Sequence, residues 1–221
     1  MVKMNNKIIS KNLAGAGSGY EALQMVARRQ EVVAPMWPIP GESIQLQASK
    51  QTFKFMLTEP FDIDAILKMV HSANGTGALI EKGLPEELQA WVKEGMSFVV
   101  KHPETGKTVA HMAIDAWSGC LELRTVVTHE DFRKQGINGS LTHMVLDLIF
   151  AKWPDAVVVE VKNDASMGEA LLKNAIGFTE ISIKEIESLG VNVKELDQTW
   201  HFYKLTKAQY IAGPLNSSKR D

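Results

Sequence analysis

Residues Arg133 to Ser140 read Arg-Lys-Gln-Gly-Ile-Asn-Gly-Ser. They combine two things that hold a phosphate: basic side chains, and a backbone able to turn its N–H groups toward an anion. The apolar β-type run Leu121 to Val127 stops at a short polar, basic loop, and a long amphipathic helix starts near Asn138. The first N–H groups of a helix have no intrahelical partner and lie at the positive end of its dipole. A strand, a glycine-containing loop and a helix start therefore form a cradle for an anion, and pyrophosphate is the usual guest of such a turn. Arg133 and Lys134 either add charge to that cradle or form a solvated basic loop.

Spelling excludes two phosphate-binding loops. The Gly-Lys-Ser/Thr ending of the nucleoside-triphosphate loop is absent, and Gly136-Ile137-Asn138-Gly139 does not supply G-x-G-x-x-G spacing. The segment resembles instead the acetyl-CoA-binding turn of the GCN5-related N-acetyltransferases (GNAT). In that family R/Q-x-x-G-x-G/A follows the fourth strand and opens the third helix. The matching residues are Arg133, Lys134, Gln135, Gly136, Ile137 and Asn138. Asn138 stands where the family has Gly or Ala, and Glu130 where it often has Pro. Asn138 adds a side chain where the phosphate approaches, a departure from the family pattern, although Asn accepts unusual backbone angles better than most residues.

The elements that must position this loop follow from periodicity. Phe53, Phe55 and Leu57 alternate with Lys54 and Met56, predicting a strand. Phe61 to His71 carries apolar residues at helical spacing, and Pro85 opens a second helix running to Lys93. Met96–Lys101, Thr108–Trp117 and Cys120–Val127 read as a three-stranded antiparallel meander with HPETGK as one of its turns. The helix from Asn138 ends at Trp153-Pro154 and is followed by the β-branched run Ala156 to Val161. Asn163 to Ala175 reads as a helix capped at Gly177, Glu180 to Ile183 as a short strand, and Thr199 to Leu205 as the last strand. Lys184 to Asp197 is charged and suits an inserted helical turn, and the tail from Lys207 reads as frayed. The order β-α-α-β-β-β-α-β-α-β-β is that of the acetyltransferase family. NAIGF before the sixth strand and the aromatic TWHFYKL are also similar to its pattern. The resemblance spans Thr52 to Leu205 and implies a mixed α/β fold: a mostly antiparallel sheet with splayed central strands, flanked by helices.

The resemblance also implies a reaction, transfer of an acetyl group from acetyl-CoA to an amine. A thioester is already activated, so geometry and a proton acceptor suffice. Arg133 to Asn138, with Gly139 and Ser140, would hold the pyrophosphate. Val126, Val127 and Thr128 would pair with the pantetheine amides like a short added strand, unless Val126 and Val127 serve only as core. Asn163 would touch the cofactor or form a turn. Glu122, on the alternating fourth strand, is the candidate base; its other reading is a surface salt bridge to Arg124. Where the family often places a tyrosine to protonate the leaving thiolate, this chain has Lys173, which would act electrostatically or stay solvated. Tyr203 is a substitute acid or a core residue. His111 and His201, on predicted strands, are either bases or, as their place suggests, satisfied structural histidines, and Cys120 reads as a small apolar residue. The histidines show no metal-binding spacing, so no metal is expected.

Composition sets the outer limits. The chain has 221 residues, 45% apolar and 23% charged, enough for a full core. A net charge of -2 argues against a nucleic-acid-coating protein. One cysteine rules out an internal disulfide and fits a cytoplasmic protein. The N-terminus has no signal-peptide run, and no stretch is long and apolar enough to span a membrane. Residues 1–50 read as an extension: a flexible Leu13–Gly19 stretch, a short helix over Tyr20–Val33, then an irregular Pro-rich segment. There Trp37 pins the extension to its own domain or contacts a second copy in a homodimer. Asp62, Asp64, Glu81, Glu86 and Glu87 make the first helices acidic and favour a cationic amine as acceptor. Two rivals to the enzyme reading are a non-catalytic module of the same fold that binds CoA or a protein, and a subunit assembled through its first fifty residues.

Overall fold

The computed structural model describes residues 41–48, 51–73, 84–162, 170–193 and 200–212. The stretch Leu13–Gly19, the helix over Tyr20–Val33, Trp37, Glu81 and Asn163 lie outside the described residues. The chain divides into two units, residues 32–115 with 123–156, and residues 1–31 with 116–122 and 157–221.

The first unit is built on neighbouring strands in the order β1 (Ile44–Ala48), β2 (Gln51–Leu57), β3 (Ser97–Lys101), β4 (Thr108–Ala116) and β5 (Leu121–Thr128), of which Ala116, Leu121 and Glu122 are counted with the second unit. The pairs β1–β2, β2–β3 and β3–β4 are antiparallel. Alternation decides which way β2 faces: Phe53 and Phe55 are buried and Lys54 is exposed. Phe55 lies opposite Val100 and stacks on Phe98 at 5.5 Å between ring centroids. Every residue of β3 is buried, and all but the last of β4, so these strands are covered on both faces.

Three helices complete this unit: α1 (Ile63–Ala73), α2 (Leu84–Glu94) and α3 (Ile137–Lys152). Ile66, Met69 and Val70 form the buried stripe of α1, and Leu84, Leu88 and Trp91 that of α2. Before α1, Glu59 N–H donates to Asp62 Oδ2 at 3.1 Å, with Pro60 following as a first-turn residue. Asp62 is itself buried, ion-paired to Lys101 Nζ at 3.0 Å and accepting from Thr108 Oγ1 at 2.8 Å. In α3 the buried residues include Ile137, Leu141, Val145, Leu146, Ile149 and Phe150, a broader face than the stripe the sequence suggests, while Leu148 is half-buried.

The second unit holds β6 (Val157–Lys162), a π-helical turn (Ala170–Ile176), β7 (Thr179–Ile181), α4 (Ile183–Ser188), β8 (His201–Thr206) and α5 (Lys207–Ala212). Its strands run in the order β6, β8, β7, with both pairs antiparallel. Gly177, at φ 101, ends the π-helical turn, and the N–H groups of Gly177 and Phe178 both donate to Leu172 O. Cys120, Val159, Ile186, Val191, Val193 and Phe202 form a buried cluster, with Trp117 and Trp200 packed against it.

The mixed α/β fold expected from the sequence, with mostly antiparallel strands and flanking helices, is the one found. Two elements differ from expectation. β1 forms inside the stretch assigned to the extension, because Leu46 and Ala48 point inward while Gln45 and Gln47 point outward. The tail after Lys207 is not frayed at its start. α5 forms there, anchored by buried Tyr210 and by Thr206 N–H donating to Gln209 Oε1 at 2.7 Å. Among the described residues no helix is long and apolar enough to cross a membrane.

Candidate acyl-CoA site

β5 hands the chain to the loop through His129. The imidazole Nδ1 accepts from Asp131 N–H at 3.3 Å and opens a single 3-10 turn, Glu130–Phe132. Phe132 anchors that turn, edge-on to Phe53 at 6.3 Å and to His129 at 6.0 Å. Beyond it the backbone enters the left-handed region twice, at Lys134 (φ 62) and Gly136 (φ 77). Gly136 is the N-cap of α3 and Ser140 N–H donates back to its carbonyl at 3.0 Å. A glycine is needed there because a side chain at that angle is strained. The first N–H groups of α3, from Ile137 on, therefore come off a tight turn with the helix dipole behind them.

The predicted residues Arg133 to Ser140 are thus contiguous at one helix start. Arg133 Nε donates to Thr128 O at 3.2 Å, and Gln135 Nε2 donates to Asp131 O at 3.2 Å, so both brace the loop. Among the described residues neither Arg133 nor Lys134 is in an ion pair. Buried Ile137 pins the helix start, and Thr142 Oγ1 donates to Asn138 O at 2.8 Å. Val127 is buried and Val126 half-buried, so the core reading holds for the first side chain.

Two buried polar atoms of this segment, Thr128 Oγ1 and Asn138 Oδ1, have no hydrogen-bond partner among the described residues. An unmade bond at a buried polar atom costs on the order of 1–3 kcal/mol. Both atoms belong to residues expected to meet the cofactor, and a ligand with amides and a pyrophosphate would satisfy them. Thr128 Oγ1 can donate to a phosphate oxygen, and Asn138 Oδ1 can accept from an amide N–H.

One feature of β5 is not legible in the sequence. Thr125, a β-branched residue, sits at φ 51, a conformation that costs roughly 1–2 kcal/mol. Its carbonyl accepts from His111 Nδ1 at 3.0 Å. His111 is fully buried and its Nε2 lies 2.9 Å from Ser97 Oγ. Burial lowers the imidazole pKa from 6.5 to about 4, against smaller opposing effects of the Thr125 carbonyl and Asp62. It is a structural histidine, as expected.

Glu122 is buried, not at the surface, and its Oε2 accepts from Trp117 Nε1 at 2.6 Å. Arg124, its suggested salt-bridge partner, reaches Glu87 at 3.5 Å and lies over the Trp91 ring at 5.7 Å. Lys173 and Tyr203 are brought together: Lys173 Nζ sits 5.7 Å from the Tyr203 ring centroid and pairs with Glu180 Oε2 at 2.6 Å. Tyr203 is fully buried. His201 Nδ1 completes the cluster 2.9 Å from Glu180 Oε1. Glu180 is held below the usual carboxylate range, first by the His201 hydrogen bond and then by that of Lys173. Cys120 is buried, its thiol donating to Leu189 O at 3.8 Å.

A cavity of about 300 Å³ lies between α1, the start of β4 and the His129–Glu130 corner, lined by Lys68, Met69, Ser72, Lys107, Thr108 and His129 among others. Its charged lining is mixed, Lys68 and Lys107 against Glu130, with Lys107 paired to Asp131 at 3.4 Å. Of the acidic residues thought to favour a cationic acceptor, Asp62 is committed to Lys101, while Asp64, Glu86 and Glu87 are exposed.

No known family profile and no curated protein matches this chain. Solved structures do. N-acetylglutamate synthase from Neisseria gonorrhoeae, complexed with coenzyme A and N-acetyl-glutamate, superposes with a TM-score of 0.56 at 12% identity over 70% of this chain, but this covers only 35% of that longer chain. Rv2747 from Mycobacterium tuberculosis, in complex with CoA and NLQ, gives 0.51 at 20% identity over 69% of this chain and 98% of its own. FdhC, a nucleotide-linked sugar GNAT, gives 0.56 at 13% identity over 80% and 98%.

Proposed function

We propose that this chain, which has the fold of the GCN5-related N-acetyltransferases, is an acyl-CoA-dependent N-acyltransferase that moves an acetyl group from acetyl-CoA to an amine. The observation that supports this most is the loop itself: Gly136 at φ 77 capping α3, with the unpartnered Thr128 Oγ1 and Asn138 Oδ1 beside it. The fold alone would not suffice, since one fold serves many functions.

In this reading the N–H groups at the start of α3 and the Arg133 and Lys134 side chains bind the pyrophosphate, and the backbone of Val126 to Thr128 pairs with the pantetheine arm. Asn163 is a further contact to the arm. The neutral amine attacks the thioester carbon, the C–N bond forms, the C–S bond breaks, and the thiolate leaves and is protonated by solvent, to which Glu122 returns its proton. Glu122 accepts the proton lost by the amine, directly or through water. Its carboxylate is aimed by the Trp117 indole, which occupies Oε2. Lys173 stabilises the leaving thiolate by charge. Tyr203, buried beside Lys173, is the substitute acid for the thiolate or a packing residue beneath the lysine.

A second reading, a CoA-binding module without turnover, draws on Lys173, which stands where the family has its tyrosine and is ion-paired with Glu180. Calorimetry with CoA and thiol release from acetyl-CoA over a panel of amines separate the two. Binding with turnover supports the enzyme, binding without turnover supports the module, and no binding removes both.

A further inference from the structure

The hydrogen bonds around His111 have only one consistent direction. A carbonyl oxygen can only accept, so Nδ1 carries the proton given to Thr125 O. A neutral imidazole then has a lone pair at Nε2, and the Ser97 hydroxyl 2.9 Å away must donate to it. Ser97 Oγ also lies 2.7 Å from Thr58 Oγ1, so the two hydroxyls and the imidazole are joined in one buried chain. Three neighbouring segments thus lock one imidazole, and it points at the one β-branched residue held at positive φ among the described residues.

That residue marks a change in pairing. At the turn, Trp117 N–H donates to Cys120 O, and further along His129 N–H donates to Val109 O. These two pairs differ in register by one residue, so β5 carries one residue more than β4 between them, a bulge. Because His129 turns its N–H to Val109, alternation along β5 directs the N–H and C=O of Thr128 and Val126 to the edge facing away from β4. A one-residue slip would exchange these for the groups of Val127.

We propose that His111 is a positioning residue of the acyl-CoA site: by holding the Thr125 carbonyl it fixes the bulge in β5, and so selects Val126 and Thr128 as the residues whose backbone meets the two amides of the pantetheine arm. The proposal rests on the acyl-CoA reading above for its ligand and on the apoprotein alone for its geometry.

The test compares wild type, His111→Leu, His111→Asn and His111→Gln. Asn places an amide donor near the Nδ1 position, whereas Gln reaches toward Nε2 and leaves the carbonyl unmet. In the apoprotein, the Thr125 backbone carbon shifts report a left-handed residue in wild type and His111→Asn, and an extended one in His111→Leu and His111→Gln. Calorimetry with CoA gives a Kd about tenfold weaker for the latter two, with Asn close to wild type. Should His111→Leu not fold, the Asn and Gln pair decides. Unchanged Thr125 shifts in a folded Gln or Leu variant overturn the geometric claim, and an unchanged Kd alongside altered shifts overturns the link to the ligand. If wild type takes up no CoA, the acyl-CoA reading and the ligand link both fail, and the shifts alone judge the bulge.

Discussion

Trp117 donates its indole N–H to Glu122 Oε2 at 2.6 Å, and the carboxylate it holds is buried. A hydrogen bond of that length to a carboxylate oxygen fixes its orientation. Replacing Glu122 with Gln should lower kcat by about 100-fold while leaving the Kd for CoA within about twofold, the pattern of a lost general base. Trp117→Phe keeps the ring and removes the donor. It should cost roughly 1–3 kcal/mol in denaturant unfolding and lower kcat less than Glu122→Gln does. Equal turnover in Glu122→Gln and wild type would remove the residue from the mechanism.

Gly136 permits the turn at φ 77 that starts α3. Gly136→Ala should cost about 1 kcal/mol of stability through backbone strain. Gly136→Asp adds to that strain a negative charge at the mouth of the anion cradle, and its Kd for CoA should weaken by about 100-fold or more. The difference between the two variants in calorimetry isolates the electrostatic part, and raising the salt concentration should narrow it.

That loop was the most legible part of the chain, because its chemistry is carried by residue type: glycine for the turn, basic residues beside it, an apolar helix after it. The order of strands and helices followed in the same way from alternation and turn residues. β1 escaped because the strand is short, with Gln45, Gln47 and an exposed Ile44 leaving only Leu46 and Ala48 as signal. The bulge at Thr125 could not be read at all. Threonine favours a regular strand, and only the distant His111 donor, fixed by the pairing of β3 with β4, overrides that preference. Glu122 was placed on the right strand, but its partner Trp117 lies across a turn whose geometry residue types do not reveal.

Buried His111 also predicts a pH dependence of stability. Its pKa is 6.5 ordinarily and about 4 in the folded protein. Above pH 6.5 the imidazole is neutral in both states and its contribution is constant. As pH falls from 6.5 toward 4, the unfolded chain binds a proton that the folded protein does not, so stability is lost, by up to about 3 kcal/mol. Below about 4 this contribution levels off. Denaturant midpoints at pH 7.5 and 4.5 should therefore lie further apart in wild type than in His111→Asn, which has nothing to protonate at that position.

Lys173 and Glu180 are 2.6 Å apart but both partly exposed, with side-chain exposures of 28% and 42%. Water screens such a pair, so Lys173→Met should change stability by no more than about 1 kcal/mol. If the lysine steadies the leaving thiolate, the same variant loses kcat with an unchanged Kd for CoA. Equal kcat in the two proteins would leave Lys173 as a surface ion-pair residue.

Gly190 and Ser118 meet where the β4–β5 turn lies against the segment after α4. A Cβ added at Gly190 would lie 2.0 Å from Ser118 Oγ and 3.2 Å from Ser118 Cβ, and the glycine sits at φ 83. Gly190→Ala therefore carries two costs, a contact that must be relieved and a left-handed backbone that alanine resists by roughly 1–2 kcal/mol. Ser118→Gly removes the side-chain contacts and leaves the backbone cost, together with the backbone N of residue 118 at 3.3 Å from the added Cβ. The double variant should regain part of the stability lost by Gly190→Ala, and the part not regained measures the strain at φ 83. Full recovery would mean that the contact alone excludes a side chain there, and no recovery that backbone conformation alone does.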